Sequence, residues 1–167
     1  MADMSVTWTF IGTGWARIIV ADQRAEASVV ASGFPTAACT TAAEDFLTAV
    51  VRLVRSEDET RVQFNETRVQ FNAEPTAFRW IFYREGNDVW IRVLRLSHGL
   101  KHDNAGTEIW SSWQTVDTLA RAVIRCFDEV ARTYGESGYR GKWMEHFPRS
   151  ELEALRTAWR VSLSDLS

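Results

Sequence analysis

The fold is decided by residues 59–96, which read ETRVQFNETRVQFNAEPTAFRWIFYREGNDVWIRVLRL. In the second half of this stretch, apolar and polar residues alternate over Thr76–Arg84 and again over Val89–Leu96. Alternation with a period of two residues predicts strands, and the intervening Glu-Gly-Asn-Asp predicts the turn of a hairpin. Whether the loop has two or four residues, Arg84 lies opposite Val89, so the register of the hairpin is fixed.

This register separates the side chains of the hairpin into two faces. One face is uniformly apolar and carries Phe78, Trp80, Phe82, Val89, Ile91 and Val93. The other carries Arg79, Ile81, Tyr83, Trp90, Arg92 and Leu94. We expect the apolar face to contact the core and the mixed face to point away from the helices.

The first half of the stretch is a tandem repeat, because ETRVQFN occupies residues 59–65 and again residues 66–72. Seven is odd whereas a strand has a period of two, so an uninterrupted strand would turn Val62 and Val69 to opposite faces. One copy must therefore loop out, pair with the other copy across Asn65-Glu66, or pair with another molecule. The last arrangement predicts a homodimer through residues 59–72.

We expect the second copy to supply the strand. With Thr67–Phe71 in the sheet, Asn72–Pro75 makes a short connection to the next strand. Thr60–Asn65 is then the spare copy. A literal duplication of this kind is either natural or engineered, and the sequence does not distinguish the two.

The N-terminal region predicts three more strands. Alternation over residues 5–32 is interrupted by Gly12-Thr13-Gly14, which fits a hairpin loop, and the third strand spans Glu26–Ser32. Pairing Ile11 with Trp15 places one apolar set on a common face, consisting of Trp8, Phe10, Ala16, Ile18 and Val20. Trp15, Arg17 and Ile19 fall on the opposite face.

Helical spacing of apolar residues predicts two long helices and a short one. The first follows a capping-box pattern, Thr41 to Glu44, and ends near Arg55. The second begins at Thr115 or Asp117, has its apolar stripe from Leu119 to Tyr134, and ends at Gly135. A turn-rich aromatic segment with Tyr139, Trp143 and Phe147 precedes a short helix that starts near Pro148, with Leu152, Leu155 and Trp159 facing inward.

These elements predict an α+β fold. We expect one antiparallel sheet of about six or seven strands, with two long helices and a short C-terminal helix packed mainly on one face. Hairpin connections disfavour parallel winding. A chain of 167 residues suits one domain, spanning residues 1–167.

The composition limits the partners and the compartment. A net charge of −3 without a basic cluster argues against nucleic acid, and no apolar run approaches the length of a membrane span. Met1–Met4 lacks the features of a signal peptide, so we expect a cytoplasmic protein. Cys39 and Cys126 lie in apolar settings and are expected to be buried thiols. No cofactor motif is present, and we expect no cofactor.

Two sequence features resemble sites of chemistry. Gly12-Thr13-Gly14 lacks the further glycine and the helix of a phosphate loop, which favours a hairpin turn. His98, His102 and Asp103, with Glu108 beyond, form the strongest metal-like cluster. Their glycine-rich setting favours a solvated loop and no metal site. The alternative to a binding protein is a small-molecule-binding or metal-dependent enzyme with a site in the 98–108 loop.

The mixed sheet face is the main candidate for function. Trp, Tyr and Arg are the side chains that anchor protein interfaces. Those on this face are Trp15, Arg17, Arg79, Tyr83, Trp90 and Arg92. Either the face binds a partner or a second copy of the chain, or the C-terminal segment covers it, or it simply carries scattered exposed aromatic residues. We favour a non-enzymatic protein-binding module.

The C-terminal part of the chain carries a resemblance. Tyr134–Tyr139, Trp143, Phe147-Pro148 and the pair Leu152 and Leu155 resemble the tail of small actinobacterial α+β proteins, some of which resemble immunity partners of secreted toxins. The resemblance covers about a fifth of the chain. It implies a protein partner, in the immunity case a toxin, and transfers no catalytic residue.

Overall fold

The computed structural model describes residues 3–33, 41–55 and 65–164. Seven strands and three helices lie in these ranges. The strands are β1 (Ser5–Gly12), β2 (Trp15–Ala21), β3 (Glu26–Ser32), β4 (Asn65–Asn72), β5 (Ala77–Glu85), β6 (Asp88–Leu96) and β7 (Thr107–Thr115). The helices are α1 (Ala42–Arg55), α2 (Val116–Trp143) and α3 (Arg149–Ser164), and a 3-10 turn spans Asp103–Ala105.

The predicted α+β class with antiparallel strands is confirmed, but the strands form two sheets. One sheet has the order β1-β2-β3 and the other β4-β5-β6-β7. The expectation of one sheet of six or seven strands is therefore not met in the described residues. Hairpin turns fix pairing only between consecutive strands, whereas the chain passes from β3 to β4 through α1.

The registers inside each sheet follow the sequence pattern. Arg84 is opposite Val89, as predicted, and Glu85 pairs with Asp88 around a two-residue turn in which Gly86 has φ +60°. In the first hairpin Trp8 is opposite Ile18, also as predicted. Gly12 instead of Ile11 lies opposite Trp15, because the register shifts between Phe10 and Gly12.

β4 is built from the second copy of the heptapeptide. Thr67–Phe71 lies inside β4, as expected, with Val69 and Phe71 buried. Within the expected spare copy, residues 60–64 lie outside the described residues, and Asn65 is the first residue of β4. Cys39 also lies outside them.

The helices agree with the pattern at their beginnings and differ near the C-terminus. Thr115 caps α2 and accepts a hydrogen bond from the Thr118 N–H at 3.0 Å. Gly135 was predicted to end α2; it interrupts the helix with φ +69° and ψ 165°, but the helix resumes and continues to Trp143. The turn-rich segment predicted from Tyr139 is therefore helical over its first part. The C-terminal helix was expected to be short. In the structure α3 has 16 residues, because it continues beyond Trp159 to Ser164.

Both sheets contribute to one hydrophobic core. Trp8 of β1 lies 6.2 Å from the ring of Phe71 in β4, 5.6 Å from Phe127 in α2 and 5.4 Å from Trp143. The rings of Trp80 in β5 and Phe46 in α1 are 4.9 Å apart. The inner faces of the two sheets thus belong to one core, and the outer face of the four-stranded sheet points away from it.

Candidate functional site: the outer face of the four-stranded sheet

The structure brings four of the six candidate residues together. Arg79 and Tyr83 lie on β5, and Trp90 and Arg92 lie on the neighbouring strand β6. Trp15 and Arg17 lie on β2, which belongs to the three-stranded sheet. The division into two sheets therefore removes these two residues from the surface formed by the other four.

The connection between β6 and β7 covers one part of the outer face. Leu94 and Leu96 are each 1% exposed although their parity places them on the outer face. A Cβ placed on Gly106 would lie 3.2 Å from Leu94 Cβ and 3.2 Å from Leu96 Cδ2. The backbone of the loop thus packs directly on the two leucines, and the cover comes from the loop at residues 97–106. A cover by the C-terminal segment was the sequence-based alternative.

Arg79 holds this loop to the sheet. Its Nη1 donates to the carbonyl of Lys101 at 2.9 Å and to Asp103 Oδ1 at 2.8 Å. Its Nη2 donates to the carbonyl of Gly99 at 3.1 Å and to Gln70 Oε1 at 2.7 Å. A planar guanidinium suits this divergent set of acceptors. The cation of Arg79 is consequently engaged inside the protein.

Asp103 forms ion pairs with Arg68 and Arg79, so its carboxylate has little capacity left for a metal ion. Burial would raise the pKa of Asp103, but hydrogen bonds from Arg79 and Arg68 outweigh it and hold this pKa below its usual value. His98 Nδ1 accepts the Leu100 N–H at 3.2 Å, and both His98 and His102 are exposed. In residues 3–33, 41–55 and 65–164, no group of three His, Cys, Asp or Glu is placed to hold a metal ion.

The other part of the outer face is an aromatic ladder, which we define as Tyr83, Trp90 and Trp113. Tyr83 is the register partner of Trp90, and Trp90 is the register partner of Trp113 on β7. The two indole rings lie 5.2 Å apart at an interplanar angle of 38°. Trp113 is 52% exposed, whereas Tyr83 and Trp90 are half-buried. The ladder thus presents its widest apolar surface at the outermost strand.

Charged groups border the aromatic ladder on one side. Arg92 Nε donates to Glu108 Oε1 at 2.7 Å, and Ser111 is the register partner of Arg92. The hydrogen bond to Glu108 is the largest influence on Arg92 and raises its pKa, so the guanidinium remains charged. A partner that docks on the ladder would meet this ion pair at its border.

Trp113 is the residue that sequence reasoning missed. It lies on β7, and the ten residues from Ser97 to Gly106 leave the register between β6 and β7 undetermined in the sequence. The pairing of these strands also has a register shift between Val93 and Leu94, which changes the parity along β7. The sequence did contain one signal for this residue, because Trp113 is the second Trp of the run Trp110-Ser111-Ser112-Trp113.

The remaining candidates have structural roles. Gly14 lies in the first hairpin turn, and its N–H donates to the carbonyl of Lys142 in α2 at 2.6 Å. Burial raises the pKa of the Cys126 thiol well above its usual value, which makes it unreactive. An apolar cleft of about 310 Å³ lies between the end of α1 and the start of α2. In its lining, Arg84 donates to the Val54 carbonyl and Asp117 accepts from Trp159 Nε1 at 2.7 Å.

The comparisons with known proteins give no relative. No family model, no curated protein and no solved structure matches this chain. Within the described ranges, none of the helices has the length and the apolar character needed to cross a membrane.

Proposed function

We propose that the protein is a non-enzymatic protein-binding module that docks its partner on the aromatic ladder of Tyr83, Trp90 and Trp113. The observation that carries this proposal is the contact between the tilted rings of Trp90 and Trp113, in which a half-exposed indole lies at the edge of a sheet. A Trp in that position removes a large apolar surface from water when a partner covers it. Trp and Tyr are also enriched among the residues that dominate binding energy.

The strand arrangement supports an extended polypeptide segment as the partner. β7 is the last strand of the four-stranded sheet, and in the described part of the chain it is bonded only to β6. From Ile109 to Thr115 it carries neither a charged residue nor a proline, the residues that commonly protect strand edges. A segment added beside β7 would gain backbone hydrogen bonds and would place alternate side chains next to Trp113.

The resemblance of the C-terminal segment suggests a toxin as the partner, as in immunity proteins. The enzyme alternative at the 98–108 loop receives less support, because Arg79 and Arg68 occupy Asp103. The proposed docking surface does not include Arg79, because its hydrogen bonds hold the loop at residues 97–106. Arg92 stays at the border of the surface, and Trp15 and Arg17 belong to a different sheet.

Site-specific crosslinking tests this proposal. A photoreactive phenylalanine analogue at position 113, expressed in cells of the source organism, is expected to capture one protein. The same analogue at position 132, on the exposed side of α2, is expected to capture none, since the Arg132 side chain is 76% exposed in its ion pair with Glu129. Equal capture from both positions would contradict the proposal.

The captured partner then allows a quantitative test with matched variants. Trp90→Ala and Trp113→Ala are expected to weaken its affinity at least about tenfold, because both remove a central aromatic anchor. Val161→Ala is the control, since Val161 is 55% exposed on α3, away from the sheet face. Unchanged affinity for Trp113→Ala, or a loss explained by a lower melting temperature, would refute the docking surface.

A further inference from the structure

The side chains through which Arg68, Val69, Gln70 and Phe71 contact the rest of the fold are encoded twice in the sequence. The ring of Phe71 lies 6.2 Å from Trp8, 5.8 Å from Phe46 and 5.9 Å from Trp80. On the opposite face of β4, Arg68 pairs with Asp103 and Gln70 accepts from Arg79. Seven residues earlier the chain has the same side chains, which are Arg61, Val62, Gln63 and Phe64.

A shift by one whole copy preserves both faces of β4. A slip of one residue would turn every side chain to the opposite face of the sheet. A slip of seven residues moves Val62 to the place of Val69 and Phe64 to the place of Phe71. The inner face therefore remains apolar and the outer face keeps its Arg and Gln, so the sheet does not discriminate between the two copies.

The geometry at the end of α1 leaves room for either copy. Arg84 is the register partner of Asn65, the first residue of β4, and its Nη1 donates to the carbonyls of Leu53 and Val54 near the end of α1. Arg84 thus pairs with the start of β4 through its backbone and reaches the end of α1 with its side chain. If the first copy formed β4, Asp58 would replace Asn65 and only Ser56 and Glu57 would connect it to Arg55. Three Cα–Cα steps span up to about 11 Å, a reach comparable to the length of the arginine that contacts both segments.

We propose that the two heptapeptides compete for the β4 position, so that the chain exchanges between two registers that differ by seven residues. The observed register keeps the tight β4–β5 connection, in which the Ala73 N–H donates to the Thr76 carbonyl at 2.7 Å. In the exchanged register the extra residues lie between β4 and β5 instead of before β4. Loop closure depends weakly on loop length, so the second register is accessible within the same fold.

A charged residue in each copy tests the exchange. Val69 is 5% exposed, so Val69→Asp buries a charge when the second copy forms β4. In a chain that lacks residues 59–65, Val69→Asp is expected to lower the melting temperature by more than about 10 °C. Deletion of either copy gives the same amino-acid sequence. This single-copy chain is therefore one reference for both registers. In the full chain the same substitution is expected to lower the melting temperature by less than half as much, because Val62 replaces Val69.

The controls separate exchange within one chain from tolerance of the charge and from swapping between molecules. Val62→Asp alone is expected to leave the melting temperature nearly unchanged, and Val62→Asp combined with Val69→Asp is expected to reproduce the large loss. The Val69→Asp chain is expected to remain a monomer in light scattering. A dimer would overturn the internal exchange in favour of strand swapping between molecules through residues 59–72. An equal loss from Val69→Asp in both chains, or a single-copy chain that does not fold, would also overturn the proposal.

Discussion

Glu44 occupies an unusual environment at the beginning of α1. The sequence pattern predicted a capping box from Thr41 to Glu44, whereas in the structure Thr41 Oγ1 donates to Asp45 Oδ2 at 3.0 Å. Glu44 Oε1 is buried and has no hydrogen-bond partner among the described residues. Burial is the main cause that raises the pKa of Glu44 to about 7; the negative charges of Glu151, Asp45 and Glu145 act in the same direction, and its own backbone N–H opposes them.

Glu44 should make the stability depend on pH. The folded state holds the Glu44 proton up to about pH 7, whereas the unfolded chain releases it near the ordinary pKa of 4.5. The unfolded state therefore binds fewer protons between these values, and the free energy of unfolding falls as the pH rises through them. We expect Glu44→Gln to be more stable than the wild type at pH 8, on the order of 1 kcal/mol after allowing for the exposed part of the carboxylate.

Thermal unfolding from pH 5 to pH 8 measures this difference. The wild-type melting temperature is expected to fall more steeply than that of Glu44→Gln. Glu85→Gln, in the exposed β5–β6 turn, serves as the control and should follow the wild type. Parallel curves for the wild type and Glu44→Gln would show that Glu44 is not the responsible group.

Arg79 is a residue whose direction, but not whose role, could be assigned from the sequence. Its parity on β5 correctly placed it on the outer face beside Tyr83 and Arg92. Two of its partners, the carbonyls of Gly99 and Lys101, lie 20 and 22 residues later in the chain. A side chain's direction follows from the strand period, but its partners follow from the path of the loop.

At the scale of elements, Gly135 lets α2 change direction before Tyr139 and Trp143. Both side chains are fully buried, and the ring of Trp143 contacts Trp8 at 5.4 Å. Gly135 has φ +69° and ψ 165°, a backbone region that is essentially restricted to glycine. The bend thus directs the last turns of α2 toward the core of the first sheet.

Two glycines of the same helix give a matched prediction. Gly135→Ala is expected to destabilise the protein by about 1–3 kcal/mol through backbone strain alone. Gly141→Ala is expected to stabilise it by roughly 0.5–1 kcal/mol, because alanine favours a helix. An added Cβ meets no described atom within 4 Å at either position, so packing does not confuse the comparison.

Urea unfolding measured for both variants distinguishes the two effects. Opposite shifts of the midpoint with an unchanged slope would support the assigned backbone conformations. A loss of stability at both positions would instead indicate that the segment from residue 136 to residue 143 depends on contacts that the two glycines make.

The connections between neighbouring strands explain which strand registers could be predicted from the sequence. The β5–β6 register follows from a two-residue turn between alternating strands, and the structure places Arg84 opposite Val89 as expected. The β6–β7 register crosses a long loop and a register shift, so the contact between Trp90 and Trp113 had no local determinant. The most exposed member of the aromatic ladder was therefore absent from the predicted set.

At the scale of the molecule, Trp8 joins the two sheets. It lies on β1 and contacts Phe71 from the four-stranded sheet and Phe127 from α2. On β7, Trp110 Nε1 donates to the Ala25 carbonyl at 3.1 Å and Ser112 donates to Asp22 Oδ2 at 2.7 Å, which connects the second sheet to the β2–β3 turn. Although no strand ladder joins the sheets in the described residues, their inner faces share one core.

This shared core predicts cooperative unfolding. Far-ultraviolet circular dichroism and tryptophan fluorescence are expected to report one coincident transition in denaturant. Trp8→Ala is expected to lower the free energy of unfolding by about 3–5 kcal/mol while the two signals still coincide. Trp113→Ala should change it by less than about 1 kcal/mol, because its ring is half exposed at the sheet edge. Two separate transitions would show that the sheets fold independently.

The sequence by itself determined the elements and their local pairing. Period-two alternation, turn residues and helical stripes act over a few neighbours in the chain, and these neighbours specified both hairpins and the inner faces of the strands. They also favoured the second heptapeptide for the observed β4, since Asn72–Pro75 makes a short connection to the strand that follows it.

Only the tertiary structure decided how these elements are divided and covered. The split into two sheets depends on contacts between distant elements, such as that of Trp8 with Phe71, and the accessibility of the outer face depends on the loop at residues 97–106. That loop covers Leu94 and engages Arg79, while Trp90 and Trp113 stay accessible beside it. These outcomes depend on contacts between residues distant in the chain, which residue periodicity does not encode.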